Sequence, residues 1–213
     1  MNKYCLLFYV VLIVLIPCVV YKKNIPKIMI VIAPIIVYLL YNLILSSIRK
    51  NLRKIAIDTI DTFNKCEIDY WVDFGTLLGI IRDKDIIWGD NDVDISVIDC
   101  EDLHDKMKKA KHILEHKGYT VIKQTWGAYR VYKYIFGYEL FADVYLNKVN
   151  KEENVYIGAE GDNSNIPINH IGNKSIVKWQ GLDVKCPEKI HETLLWRYGE
   201  DYMTPKDDKG RLN

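Results

Sequence analysis

Asp92 and Asp94 stand one residue apart in Asp90-Asn91-Asp92-Val93-Asp94-Ile95-Ser96-Val97, a stretch in which polar and apolar residues alternate. Alternate residues of an extended chain project to the same side. The pattern therefore predicts a strand with Val93, Ile95 and Val97 in a core and two carboxylates converging on the other face. Just upstream, Gly75-Thr76-Leu77-Leu78-Gly79-Ile80-Ile81-Arg82 places a small-residue turn ahead of that strand. Together they describe the geometry of a cation site.

The chain has 213 residues and is 49% hydrophobic, enough for a full core, but the apolar residues crowd into the first 45 positions. Residues 4–21 and 28–45 carry no charge, and each is 18 residues long, near the lower limit for crossing a bilayer. Two transmembrane helices are expected. Lys3 followed by an apolar run also resembles a signal peptide, yet Pro17-Cys18-Val19-Val20-Tyr21 matches a small-residue cleavage site poorly, so a retained anchor is expected. This divides the chain into an anchor, residues 1–45, and a domain, residues 46–213. If both segments span, Lys22, Lys23 and Lys27 lie on one side, and Lys3, Arg49, Lys50, Arg53 and Lys54 on the other. The excess of basic residues then favours a cytosolic domain. A single span would place it on the lumenal side, where Asn173-Lys174-Ser175 would be a glycosylation sequon.

Four lysines and no acid fall in residues 1–45, so the 29 basic and 28 acidic residues of the whole chain become 25 and 28 in the domain. A slightly acidic domain lacks a nucleic-acid footprint. Cys66, Cys100 and Cys186 are odd in number and far apart, which argues against a disulfide framework and a cysteine-rich zinc site.

Along the domain, Ile48, Leu52, Ile55, Ala56, Thr59 and Phe63 recur at helical spacing and predict an amphipathic helix over residues 46–66. Residues 68–74 read as a strand, 76–82 as a short helix, 93–98 as a strand and 101–116 as a helix ended by Gly118. Residues 119–123, 129–136 and 139–146 read as strands, the last two joined by a turn at Phe136-Gly137-Tyr138. Residues 148–165 read as loop, 176–179 and 182–185 as short strands, and 187–198 as a closing helix with proline at its start and Gly199 beyond its end.

Asp94 and Asp143 sit among apolar and aromatic neighbours, where an unpaired carboxylate is costly to bury. A divalent cation would offset that cost. Magnesium or manganese takes oxygen ligands from a few carboxylates and from substrate phosphates, which points to phosphoryl chemistry. Gly75 and Thr76 at a helix start offer N–H groups and a hydroxyl to phosphate, and Arg82 can neutralise a diphosphate. A calcium loop is the rival reading: from Asp90 as position one, Asp92, Asp94 and Glu101 fall at positions three, five and twelve. Position six, which needs glycine, is Ile95. His104, His112 and His116 lack the spacing of a metalloprotease motif and read as a solvated helix face.

The Gly75–Gly79 run with Arg82, followed by the Asp90–Ile95 acids, resembles the LicD and fukutin-related group of phosphotransferases in the nucleotidyltransferase superfamily. Leu194-Leu195-Trp196-Arg197-Tyr198-Gly199 through Pro205 is similar to the closing motif of that group. The likeness covers roughly residues 60–206, with Trp88-Gly89 and Asn91 departing from the usual pattern. The resemblance implies an α+β fold, a nucleotidyltransferase-like mixed sheet flanked by helices. It also implies transfer of phosphocholine or an alditol phosphate from a CDP-linked donor to a glycan or glycoconjugate. By the same resemblance Asp92, Asp94 and Asp143 are catalytic and bind Mg2+ or Mn2+, while Gly75, Thr76, Arg82 and Asp90 bind substrate. A non-catalytic interaction module of the same fold is the other alternative.

Overall fold

The structure is a computed structural model that describes residues 27–158 and 164–205. The expected span at 4–21 lies outside the described residues.

A single helix, α1, runs from Lys27 to Lys65. The apolar stretch 28–45 and the amphipathic stretch from Ser46 are thus continuous, not two elements, and the difference between them is one of partners. Within α1, Leu52, Ile55, Ala56, Ile60 and Phe63 are fully buried, whereas Ile35, Tyr38, Leu39 and Leu43 are each more than half exposed. The C-terminal half is a core helix of the domain. The N-terminal half has exposed aliphatic and aromatic side chains, and the helix is long and apolar enough to cross a membrane by length and composition.

After α1 come β1 (Tyr70–Val72), α2 (Phe74–Leu78) continued by a π-helical turn (Gly79–Asp83), β2 (Asp92–Ile98) and α3 (Leu103–His116). Then follow β3 (Thr120–Lys123), β4 (Ala128–Ile135), β5 (Tyr138–Asn150), β6 (Val155–Ile157), β7 (Ile166–Pro167) and α4 (Ile168–Ile171). The hairpin β8 (Ser175–Trp179) and β9 (Leu182–Cys186) leads to α5 (Ile190–Tyr198). The main sheet has the order β1-β2-β5-β4-β3, with β6 on the far end of β5 and β7 on β6. The β2/β5 pair is parallel and its neighbours are antiparallel, so the mixed α+β class expected from the sequence is found.

Three further element readings change, and one rival reading falls. Phe74 opens α2 instead of closing the first strand, because buried Asp73 caps the helix, its side chain accepting the Phe74 N–H at 2.8 Å. The region 148–165 is not all loop: β5 extends to Asn150 and β6 returns along it. Pro187 precedes the last helix by three residues and is not its first residue. Lastly, residues 92–98 pair with β5, and residues 95–97 pair also with β1. A strand paired on both edges cannot wrap an ion as an EF-hand loop does, and the calcium-loop reading is excluded.

One face of the sheet carries Val93, Ile95, Val97, Val131, Leu140, Ala142 and Val144, all fully buried in one core with α1 and α3. Such a face is what the alternation in β2 and β5 demands. The opposite face is polar. Phe136 and Gly137 have φ of 51° and 75°, the two left-handed residues of a tight hairpin turn, and they fix the β4/β5 register that aligns this polar face.

Candidate functional site

The parallel register sets Asp94 beside Asp143, with Asp92 two residues earlier on the same face. Sequence reading therefore brings the right three strand positions together. Their side chains are not equivalent. Asp94 and Asp143 are buried and Asp92 is half-buried. Burial pushes the Asp94 carboxyl well above the ordinary carboxylate range, and the carboxylates of Asp92, Asp73 and Asp90 add to it. The Tyr145 hydroxyl, donating to Asp94 Oδ1 at 3.3 Å, opposes the shift. Asp143 is instead held in a fork: Arg130 donates from Nε to Oδ1 at 2.7 Å and from Nη2 to Oδ2 at 2.8 Å. Among the described residues, no three acidic, histidine or cysteine side chains converge closely enough to hold an ion as they stand.

The glycine-rich segment docks on the acidic strand. Thr76 Oγ1 accepts the Asp94 backbone N–H at 2.7 Å, so its buried hydroxyl ties α2 to β2. A Cβ added to Gly75 would lie 3.3 Å from Asp90 Oδ2 and 3.5 Å from Asp94 Oδ2. That places both carboxylates against the Gly75 backbone. Gly79 has a different reason to be glycine, since a Cβ there would come within 2.5 Å of the Asp85 carbonyl oxygen. Arg82 is largely buried and turns its fork onto Asp83 at 2.7 and 2.8 Å, with Asp90 and Tyr198 near enough to raise its pKa further.

Several participants went unmarked in the sequence. Asp73 is fully buried and accepts hydrogen bonds from Trp71 Nε1 and Ser96 Oγ, both at 3.1 Å. Arg197 of α5 completes that set, donating from Nη2 to Asp73 Oδ2 at 3.0 Å while its guanidinium lies 4.0 Å from the centre of the Phe74 ring. Arg197, which the sequence reading placed in the closing motif without a role of its own, thus anchors Asp73, which in turn is bound by Ser96 of β2. Burial, with Asp94, Asp73 and Asp90 nearby, pushes the Tyr198 hydroxyl up. Phe74, Tyr145 and Trp126 form a chain of ring contacts of 5.4 and 5.8 Å along one edge of the site. Arg130 had no motif around it, and only the β4/β5 register reveals it opposite Asp143.

His104, His112 and His116 are exposed on α3, in agreement with the solvated-face reading. The three described cysteines are free.

Comparison with known proteins gives three results. In sequence, the chain is 33% identical over 100 residues to an uncharacterized protein of Rickettsia prowazekii, a match covering 47% of this chain and 34% of that protein. A protein of Rickettsia typhi is 40% identical over 47 residues, covering 22% of this chain and 15% of the other. The chain thus spans about a third or less of the curated relatives it matches. Among solved structures, the antibiotic-resistance factor ANT(2'')-Ia in solution aligns with TM-score 0.46 at 15% identity, covering 67% of this chain and 69% of that one. The crystal structure of ANT(2'')-Ia with adenylyl-2''-tobramycin aligns with TM-score 0.39 at 13% identity, covering 63% and 68%. The third result is a family model that spans both the glycine-rich turn and the acidic strand pair. Matching residues 67–189, it shows that the chain belongs to the LicD/FKTN/FKRP family and carries its nucleotidyltransferase domain.

Proposed function

We propose that this protein is a membrane-anchored, metal-dependent phosphotransferase that moves a phosphorylated alcohol from a CDP-linked donor to a glycan or glycoconjugate. Family membership supports the reaction class. The observation that carries the reading is the parallel pair of strands that sets Asp92, Asp94 and Asp143 on one polar face beside Gly75.

The donor set suits a hard cation. Burial, and after it the carboxylates of Asp92, Asp73 and Asp90, raise the Asp94 pKa, and a divalent ion would offset both. Asp92 and Asp94 would hold Mg2+ or Mn2+, and Asp143 would join them if Arg130 released it. When bound, the ion would neutralise the donor diphosphate and polarise its phosphorus. The chain contributes the rest. Gly75 leaves room for a phosphate near Asp90 and Asp94, and Arg82 adds positive charge beside it. The acceptor hydroxyl oxygen attacks the phosphorus that bears the alcohol, the bond to the bridging oxygen of the diphosphate breaks, and CMP leaves. The hydroxyl proton passes to Asp94 or Asp143.

The full chain in detergent, supplied with Mn2+, CDP-choline or CDP-ribitol and glycan acceptors, is expected to release CMP. Asp92→Asn should lower that release by at least about a hundredfold, as loss of a charge-stabilising group does. Equal activity of wild type and variant across a donor panel would leave the non-catalytic module as the better reading. For topology, we propose that the domain lies in the cytosol, on the excess of basic residues flanking the two apolar segments. Asn173 is exposed, so glycosylation there in a eukaryotic host would put the domain in the lumen.

A further inference from the structure

Arg130 covers the carboxylate edge of Asp143. It lies directly across the β4/β5 ladder from Asp143 and binds both carboxylate oxygens. A two-point, charge-assisted contact of this kind is among the stronger side-chain interactions. Among the described residues no three acids form a ligand group. The guanidinium has a second partner within reach. Its Nη1 donates to Glu139 Oε1 at 3.2 Å, and the Tyr134 hydroxyl secures Glu139 Oε2 at 2.8 Å.

Between the two acids on the same face of β5 stands Phe141, and Arg130 lies over its ring at 3.8 Å. Side chains two residues apart on a strand share a face, so Glu139, Phe141 and Asp143 form a row. A guanidinium that stays on the ring keeps its cation–π contact whichever acid it grips. One guanidinium thus bridges both acids, and it keeps a carboxylate partner and the ring if Asp143 is drawn away.

Resting on the divalent-metal reading above, we propose that Arg130 is a positioning residue that withholds Asp143 from the metal site. Cation binding at Asp92 and Asp94 breaks the fork on Asp143, leaves the guanidinium on Glu139, which it already contacts, and frees Asp143 as the third ligand. The rearrangement makes and breaks only hydrogen bonds, and net charge in the row is conserved. A cation that must displace Arg130 binds more weakly than one meeting a free Asp143, because part of its binding energy goes into the shift.

The test is a Mn2+ titration of the full chain in detergent, followed by the electron paramagnetic resonance of free Mn2+, with no nucleotide present. Arg130→Gln should tighten Mn2+ binding, on the order of tenfold. Asp143→Asn should weaken it, and the double variant should match Asp143→Asn alone, since nothing remains to be released. Glu139→Gln, which removes the carboxylate left to Arg130, should also weaken binding. Arg130→Lys keeps the charge but not the fork and should fall between wild type and Arg130→Gln; it replaces Arg130→Gln if thermal melting shows that variant to be unfolded. A gain at Arg130→Gln that persists in the double variant would mean that only a positive charge was removed, and the inference fails. It also fails if wild-type binding is abolished by Asp92→Asn yet indifferent to every Arg130 change, an outcome that leaves the metal reading standing. Absence of Mn2+ binding in all variants would end both.

Discussion

The two glycines of the Gly75–Gly79 run look equivalent in sequence and are not equivalent in space. At Gly79 an added methyl meets a backbone carbonyl at 2.5 Å, which cannot swing away. Gly79→Ala is therefore expected to destabilise the protein by about 1–3 kcal/mol, the usual range for overpacking, read from urea unfolding. At Gly75 the methyl meets only carboxylate tips, at 3.3 and 3.5 Å. Gly75→Ala should leave the unfolding midpoint nearly unchanged and lower CMP release about 10- to 100-fold, by displacing the acids. The reverse pattern would overturn this assignment of roles. Asp73 and Arg197 form another pair visible only in three dimensions, with side chains 0% and 4% exposed. Truncating one partner leaves the other charge buried alone, so Arg197→Ala should cost about 3–5 kcal/mol. At this scale the strand acids were legible because alternation encodes a face. Asp73, Arg130 and Arg197 were not, because their partners lie 124, 13 and 124 residues away.

Helix α1 and the loop that follows the π-helical turn hold each other through charge. Asp85 receives both Arg53, in a bidentate contact, and Arg49 at 3.3 Å, while Arg49 Nε also donates to the Ile86 carbonyl at 2.7 Å. Two of the five basic residues that set the expected orientation are therefore also docking contacts. Burial alone would raise the Asp85 carboxyl, but the hydrogen bonds and charges of Arg53 and Arg49 hold it below the ordinary range. A lowered folded-state pKa adds stability above the unfolded value of about 3.9, and that contribution is lost as pH falls through the folded pKa. Melting temperature should therefore drop on acidification below about pH 4 more steeply in wild type than in Asp85→Asn. Parallel acid limbs would refute the role of this contact. Most elements were readable from period and turn chemistry, as at Phe136-Gly137. The strand hidden in residues 148–165 was not, since β6 is three residues long and gains its definition from pairing with β5.

At the scale of the whole molecule, the family match begins at residue 67, after α1 has ended, and stops at residue 189, before α5 begins. The folded unit is larger. Leu52, Ile55, Ala56, Ile60 and Phe63 of α1 and Leu194 of α5 are fully buried in the same core as the sheet. Each of the leucine, isoleucine and phenylalanine side chains contributes about 1.5–3 kcal/mol by its burial, and their sum is comparable with the roughly 5–15 kcal/mol that separates folded from unfolded domains. A chain limited to residues 67–189 should therefore show no cooperative melting transition. One covering residues 46–205 should melt cooperatively, because it keeps the buried half of α1 and omits the exposed half. The two halves also separate the functions of the helix: the full chain should sediment with membranes, and the 46–205 chain should remain in the supernatant. Cooperative unfolding of the 67–189 chain would mean that α1 only leans on a self-sufficient domain. Failure of the 46–205 chain to fold would mean that the residues before 46 supply more than an anchor.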